Sequence, residues 1–253
     1  MKGWALALSW LTVLPVRTDA PEARVAAAAI RWAPVVGAVL GAAAGGVLLG
    51  LSALGVPPAA AGLLTVGFLA AATRGMHVDG LADTADGLGC FGPPERALAV
   101  MRDGGAGPFA VVTLLVALGT QAAALAALVP AGTHALAGVA LAGAAGRAAF
   151  AWVCRRGVPA ARPGGLGATV AGSQRWWVAP AWWTALAVAG LFGWGWRGVL
   201  AIGLGALAVM VLSWHTSRRF GGMTGDVLGA AGEVATTAAL VTLATAGPAP
   251  AWW

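Results

Sequence analysis

Nine acidic residues occur in this chain of 253, and three of them stand together: Asp79, Asp83 and Asp86 lie within His77-Val-Asp-Gly-Leu-Ala-Asp-Thr-Ala-Asp-Gly87. On an ideal helix, at about 100° per residue, they point at about 0°, 40° and −20°, so they share one face. Carboxylates roughly 6 Å apart repel by about 2–3 kcal/mol per pair at an effective dielectric near 20. A hard divalent cation offsets that cost, and Mg²⁺ is commonly held by a few carboxylates while substrate phosphate oxygens complete its shell. Gly80, Gly87 and Gly89 weaken the helix and are expected to leave room for a bulky ligand against the backbone. The competing reading is a solvated first turn whose aspartates complement the helix dipole. A stripe holding three of the nine acids favours the cation.

A second constellation runs Phe220-Gly-Gly-Met-Thr-Gly-Asp-Val-Leu-Gly-Ala-Ala-Gly-Glu233, preceded by Arg218 and Arg219. Asp226 and Glu233, seven apart, share a helix face, and Asp226 can join the metal shell from across the bundle. Glu233 falls inside an apolar stretch, where an acid by default suggests function. The amides around Gly221, Gly222 and Gly225 can approach phosphate. Two further segments, Met101-Arg-Asp-Gly-Gly105 and Ala161-Arg-Pro-Gly-Gly-Leu-Gly167, add Arg102, Asp103 and Arg162. The arginines at 102, 162, 218 and 219 either clamp a diphosphate through forked hydrogen bonds or only fix topology. His77 points about 200° away from Asp79 and reads as structural; His134 and His215 show no partner in sequence.

The elements that must carry these residues are membrane helices. Hydrophobic residues make up 59% and charged residues 9%, against about 25% charged in soluble domains. The expected spans are 33–54, 58–73, 109–129, 134–153, 178–194, 198–213 and 227–246. With a retained N-terminal helix or surface segment, that predicts an all-α polytopic bundle of about seven or eight membrane helices in one domain, 1–253. The N-terminus imitates a signal peptide, but Pro15, Arg17 and Asp19 interrupt the place for a cleavage site. Tight turns make the spans into hairpins, which puts segments 17–32, 74–108, 154–175 and 214–226 on one face. Those segments hold twelve arginines, whereas the opposite turns hold only Arg197. The asymmetry places the chemistry in the cytoplasm and explains the +6 charge without nucleic acid. Paired tryptophans at 176–177, 182–183 and 252–253 suit headgroup depth. Cys90 and Cys154 form neither a zinc nor a disulfide pattern.

These strings resemble the cobalamin synthases, the adenosylcobinamide-GDP ribazoletransferases. The matching stretches are Leu11-Thr-Val-Leu-Pro-Val16, the aspartate string 77–87, Met101-Arg-Asp103, Gly165-Leu-Gly167, and Gly221-Gly-Met-Thr-Gly-Asp-Val-Leu-Gly-Ala230 followed by Glu233. They span nearly the whole chain in the family's order. The resemblance implies Mg²⁺-dependent joining of α-ribazole, or its 5′-phosphate, to adenosylcobinamide-GDP with release of GMP, in the bacterial inner membrane. For that reaction Asp79, Asp83, Asp86 and Asp226 are expected to hold one or two Mg²⁺, and Asp86 or Asp103 to accept the proton. Arg102, Arg162, Arg218, Arg219, Thr84, Thr224 and Glu233 become substrate contacts. The partners are then these small molecules and membrane lipid, with a homo-oligomer left open. Gly104 and Gly105 depart from the serine and basic residue typical of the family; Pro108 replaces a threonine and Ala160 a tyrosine. A CDP-alcohol phosphotransferase ranks second, because Asp83 follows Ala82 where that motif has arginine. An ion-coupled transporter ranks third, since it needs acids near mid-membrane.

Overall fold

The computed structural model describes residues 2–18 and 22–245; Asp19, Ala246 at the end of the last expected span, and the Trp252–Trp253 pair lie outside the described residues. The chain forms α1 (Lys2–Leu11), α2 (Ala23–Ala53), α3 (Pro58–Ala72), α4 (Met76–Gly89), α5 (Pro94–Val100), α6 (Pro108–Leu128), α7 (Thr133–Val153), α8 (Gly165–Val170), α9 (Val178–Trp194), α10 (Trp196–Phe220) and α11 (Gly225–Ala244). Among the described residues only two isolated bridges interrupt this all-helical architecture. Proline opens α3, α5 and α6, where its missing N–H is one the helix could not have paired anyway. Thr224 opens α11, its hydroxyl accepting the Val227 N–H at 3.3 Å.

The polytopic helical bundle expected from composition is present. Five helices, α2, α6, α7, α10 and α11, are long and apolar enough to cross a membrane, or up to six crossings if the bent pair α3 and α4 counts as one. The difference from seven or eight lies in short elements. At about 1.5 Å per residue, α1, α3 and α9 extend roughly 15, 22 and 26 Å, short of the ~30 Å hydrocarbon core. Helix α2 begins ten residues earlier than expected, so Arg24 and Arg31 sit on its first turns; its alanine-rich start continues the helix past the membrane boundary.

Among the described residues, helices α2 and α7 form the most extensive helix–helix contact. Their approach depends on Gly37 and Gly143, since a Cβ on either would run into the carbonyl oxygen of the other. With no hydrophobic drive between helices in lipid, backbone-to-backbone packing of this kind supplies the association. Substituting Gly143→Leu should therefore separate α2 from α7 and cut the yield of monodisperse protein in detergent severalfold. Gly46→Leu, on the open face of α2 with no atom within 4 Å of the new Cβ, should leave elution and melting near wild type.

Candidate active site

The site begins at a turn. Arg74 (φ 56) and Gly75 (φ 67) break the chain between α3 and α4, and the two helices diverge by 94°. Helix α4 therefore turns sharply away from α3 and packs against α11 and α6. The Arg74 guanidinium donates to the Ser9 carbonyl at 2.9 Å, fastening the last turn of α1 to this hinge. Helix α4 then crosses α11 backbone to backbone. A Cβ on Gly80 would lie 2.7 Å from the Asp226 carbonyl oxygen, and one on Gly229 would lie 3.0 Å from that of His77. The glycines of the aspartate string thus do not make room for a ligand: Gly80 admits α11, Gly87 backs onto Met101 and Phe220, and Gly89 onto Phe109.

The aspartates share one stripe but differ in depth. Asp79 is exposed, Asp83 half-buried and Asp86 8% exposed. Asp86 accepts the Gly107 N–H at 2.7 Å and the Ala110 N–H at 2.9 Å, so its carboxylate caps α6 from a different element. Asp226 is ion-paired with Arg162. That pair is set by a parallel bridge between loops, in which Ala161 N–H donates to the Met223 carbonyl and Met223 N–H to the Pro159 carbonyl, both at 2.9 Å. The Gly221–Gly222 turn, expected to offer amides to phosphate, is used for this packing, with Gly222 against Pro159 and Ala161. Partial burial, then the charges of Asp79 and Asp226, push the Asp83 carboxyl up to about 6; Arg162 opposes them and Asp86 adds a smaller push.

Among the described residues no three His, Cys, Asp or Glu side chains converge into a closed metal cage. A Mg²⁺ ion held by one or two carboxylates and completed by substrate phosphate does not need one. Asp79 and Asp83, one helical turn apart, fit that role, because the repulsion that raises Asp83 is the kind a cation relieves. Two clefts flank them. The first, of about 340 Å³, is lined by Arg162, Gly164 to Ala168, Thr224 and Asp226 together with an apolar wall. The second, of about 570 Å³ and more open, is lined by Arg74, Asp79, Asp83 and Gly104 to Ala106. Asp79 and Met76 line both.

The remaining expected contacts are spread out. Asp103 and Arg102 are exposed on the segment that leads into the second cleft. Arg218 lies over Trp214, its guanidinium 5.1 Å from the ring centroid, and Arg219 donates to the Cys90 carbonyl. Thr84 is buried with an unpaired hydroxyl. Glu233 lines neither cleft; it accepts from Gln121 of α6 at 2.7 Å inside the bundle. Beside it lies a residue the sequence reading passed over, Arg147 of α7, buried and 3.3 Å from the His77 imidazole, which stacks on Phe150. A lone arginine in an expected span was the available signal. His77 is buried and also lines the first cleft, and both cysteines are free.

Two measurements follow from this geometry. Asp86→Ala strips the cap from α6 and should cost about 1–2 kcal/mol, seen as a lower melting temperature, whereas Asp86→Asn keeps one acceptor and most of the stability. Asp83 titrates higher in the folded protein than in an unfolded chain, so its contribution to stability is present at acidic pH and lost as pH rises through about 6. Metal-free protein should accordingly lose stability between about pH 4 and pH 6 by way of Asp83. Asp83→Asn should flatten that slope, and Mg²⁺ should raise the melting temperature more at pH 8 than at pH 5.

Residues 3–244 match the model of the family described as cobalamin-5-phosphate synthase. A relative from Nocardioides sp., an adenosylcobinamide-GDP ribazoletransferase, is 45% identical over 242 residues, covering 94% of this chain and 96% of its own. Proteins of the same name from Frankia casuarinae and Brucella canis are 36% and 38% identical, over 96% and 84% of this chain and 95% and 84% of theirs. No solved structure matches. With the aspartate stripe, the Asp226 turn and the helical bundle all accounted for along nearly the full length, the chain belongs to the cobalamin-5-phosphate synthase family.

Proposed function

We propose that this chain is an adenosylcobinamide-GDP ribazoletransferase: it joins α-ribazole, or α-ribazole 5′-phosphate, to adenosylcobinamide-GDP, forming adenosylcobalamin or its 5′-phosphate and releasing GMP. The observation that carries this reading is the end-to-end match to relatives of that name. A ribose hydroxyl of the ribazole attacks the phosphorus bonded to cobinamide; the bond from that phosphorus to the bridging oxygen breaks, and GMP leaves with that oxygen. The hydroxyl proton passes to a carboxylate.

The chain's own residues support each part. Asp79 and Asp83 would hold Mg²⁺, which when bound neutralises diphosphate charge and stabilises the leaving GMP. Arg162 supplies positive charge beside Asp226. Asp86 has both oxygens engaged by α6, which leaves Asp103 as the better proton acceptor of the two considered. The excess of arginine at this end of the bundle favours a site facing the cytoplasm from the bacterial inner membrane.

The test is an assay of purified protein with adenosylcobinamide-GDP and α-ribazole phosphate, with and without Mg²⁺, reading GMP and corrinoid product together. Chelation should abolish turnover. Asp83→Asn should lower kcat by roughly 100-fold or more with the protein still folded, and Asp103→Asn by about 100-fold. A wild-type protein that makes no corrinoid product would overturn the assignment, and near-normal turnover by Asp83→Asn would remove Asp83 from the mechanism.

A further inference from the structure

The two clefts differ in chemistry as well as size, and that difference sorts the substrates. The first cleft is walled by Trp10 and Leu11 of α1, Ile30 of α2, Phe150 of α7, Met223 of the loop before α11, and Leu228 in the first turn of α11. All but Trp10 are buried, so the wall is already formed without ligand. Its only charged side chains are Asp79, Arg162 and Asp226. At about 340 Å³ it sits at the small end of ligand pockets, which run from roughly 300 to 1,000 Å³. The second cleft, about 570 Å³, has few large apolar side chains, carries Arg74, Asp79 and Asp83, and opens to solvent past the glycines at 104 and 105.

Resting on the ribazoletransferase reading above, we infer that the first cleft is the α-ribazole site, with its apolar wall taking the benzimidazole base, while adenosylcobinamide-GDP enters from the second. A bicyclic apolar base with one ribose fits the first cleft; a corrin ring with its amide arms does not. A preformed dry wall rewards an uncharged aromatic base and gives nothing to a diphosphate. The ribose then points to the mouth, where Arg162 stands paired with Asp226 and can take a 5′-phosphate. The diphosphate of the other substrate belongs with Arg74 and the cation-ready Asp79 and Asp83. The clefts meet at Met76 and Asp79, so the attacking hydroxyl and the phosphorus come together at the shared wall without either substrate having to cross the other's site.

The test separates this assignment from the reaction itself. With wild-type protein, the free 5,6-dimethylbenzimidazole base should inhibit competitively against α-ribazole and not against adenosylcobinamide-GDP. Ile30→Phe, which fills the wall, should raise the KM for α-ribazole roughly tenfold or more and leave the KM for adenosylcobinamide-GDP within about twofold. Competition by the base against adenosylcobinamide-GDP, or no inhibition up to its solubility limit, overturns the assignment, as does an Ile30→Phe effect confined to the corrinoid substrate. Should Ile30→Phe fail to fold, the inhibition pattern of wild type decides alone. Absence of GMP release by wild type would instead bring down the reaction, whereas GMP release with the reversed inhibition pattern brings down only the cleft assignment.

Discussion

The backbone crossing of α4 and α11 at Gly80 and Gly229 is the constraint on which the acidic site rests. Two helices carry the decisive carboxylates, and only where neither has a side chain at the crossing can Asp79 and Asp83 approach Asp226 closely enough for their charges to be felt. The crossing follows the 94° turn at Arg74 and Gly75, which takes α4 off the line of α3 and onto α11. Both backbone positions in that turn are left-handed, and Arg74, a residue that adopts this conformation reluctantly, is held by its contact with the end of α1.

Around the crossing, the polar groups are paired in a way that separates support from chemistry. Asp86 ends the stripe by binding the free amides of α6, where a helix start near the membrane would otherwise leave donors unsatisfied. Deeper in the bundle, Gln121 donates to Glu233 across α6 and α11 at 2.7 Å, and Arg147 lies 3.3 Å from His77 across α7 and α4. Such residues are costly in an apolar interior unless they find partners, and here the two pairs join α6 to α11 and α7 to α4. Among the described residues Asp79 and Asp83 form no ion pair; Asp79 lines both clefts and Asp83 the second.

Electrostatics and shape therefore act on the same few residues. Negative charge accumulates at Asp79, Asp83 and Asp226, and Arg162 limits it from the side of the apolar cleft. The two clefts, one walled largely by apolar side chains and the other carrying Arg74, Asp79 and Asp83, share an acidic edge at Asp79.

Much of this was legible in sequence. The membrane bundle follows from composition, since 9% charge cannot solvate a surface of this size, and the common stripe of Asp79, Asp83 and Asp86 follows from spacing, because helical period is a local property. The positions of Asp226 and Arg162 near that stripe followed less directly, from counting hairpins and from motif order. Tertiary structure alone decided the rest. Spacing could not say that the stripe dips into the bundle, turning Asp86 into a cap for α6, or that Gly80 and Gly222 serve helix and loop packing instead of ligand. Nor could it distinguish Arg162, brought to the cleft by the 160–223 bridge, from Arg218 and Arg219, which α10 turns toward Trp214 and Cys90. The physical reason is the same in each case: periodicity fixes direction about one helix axis, whereas burial, pairing and the space left for a ligand depend on which second element arrives and how closely its backbone can approach.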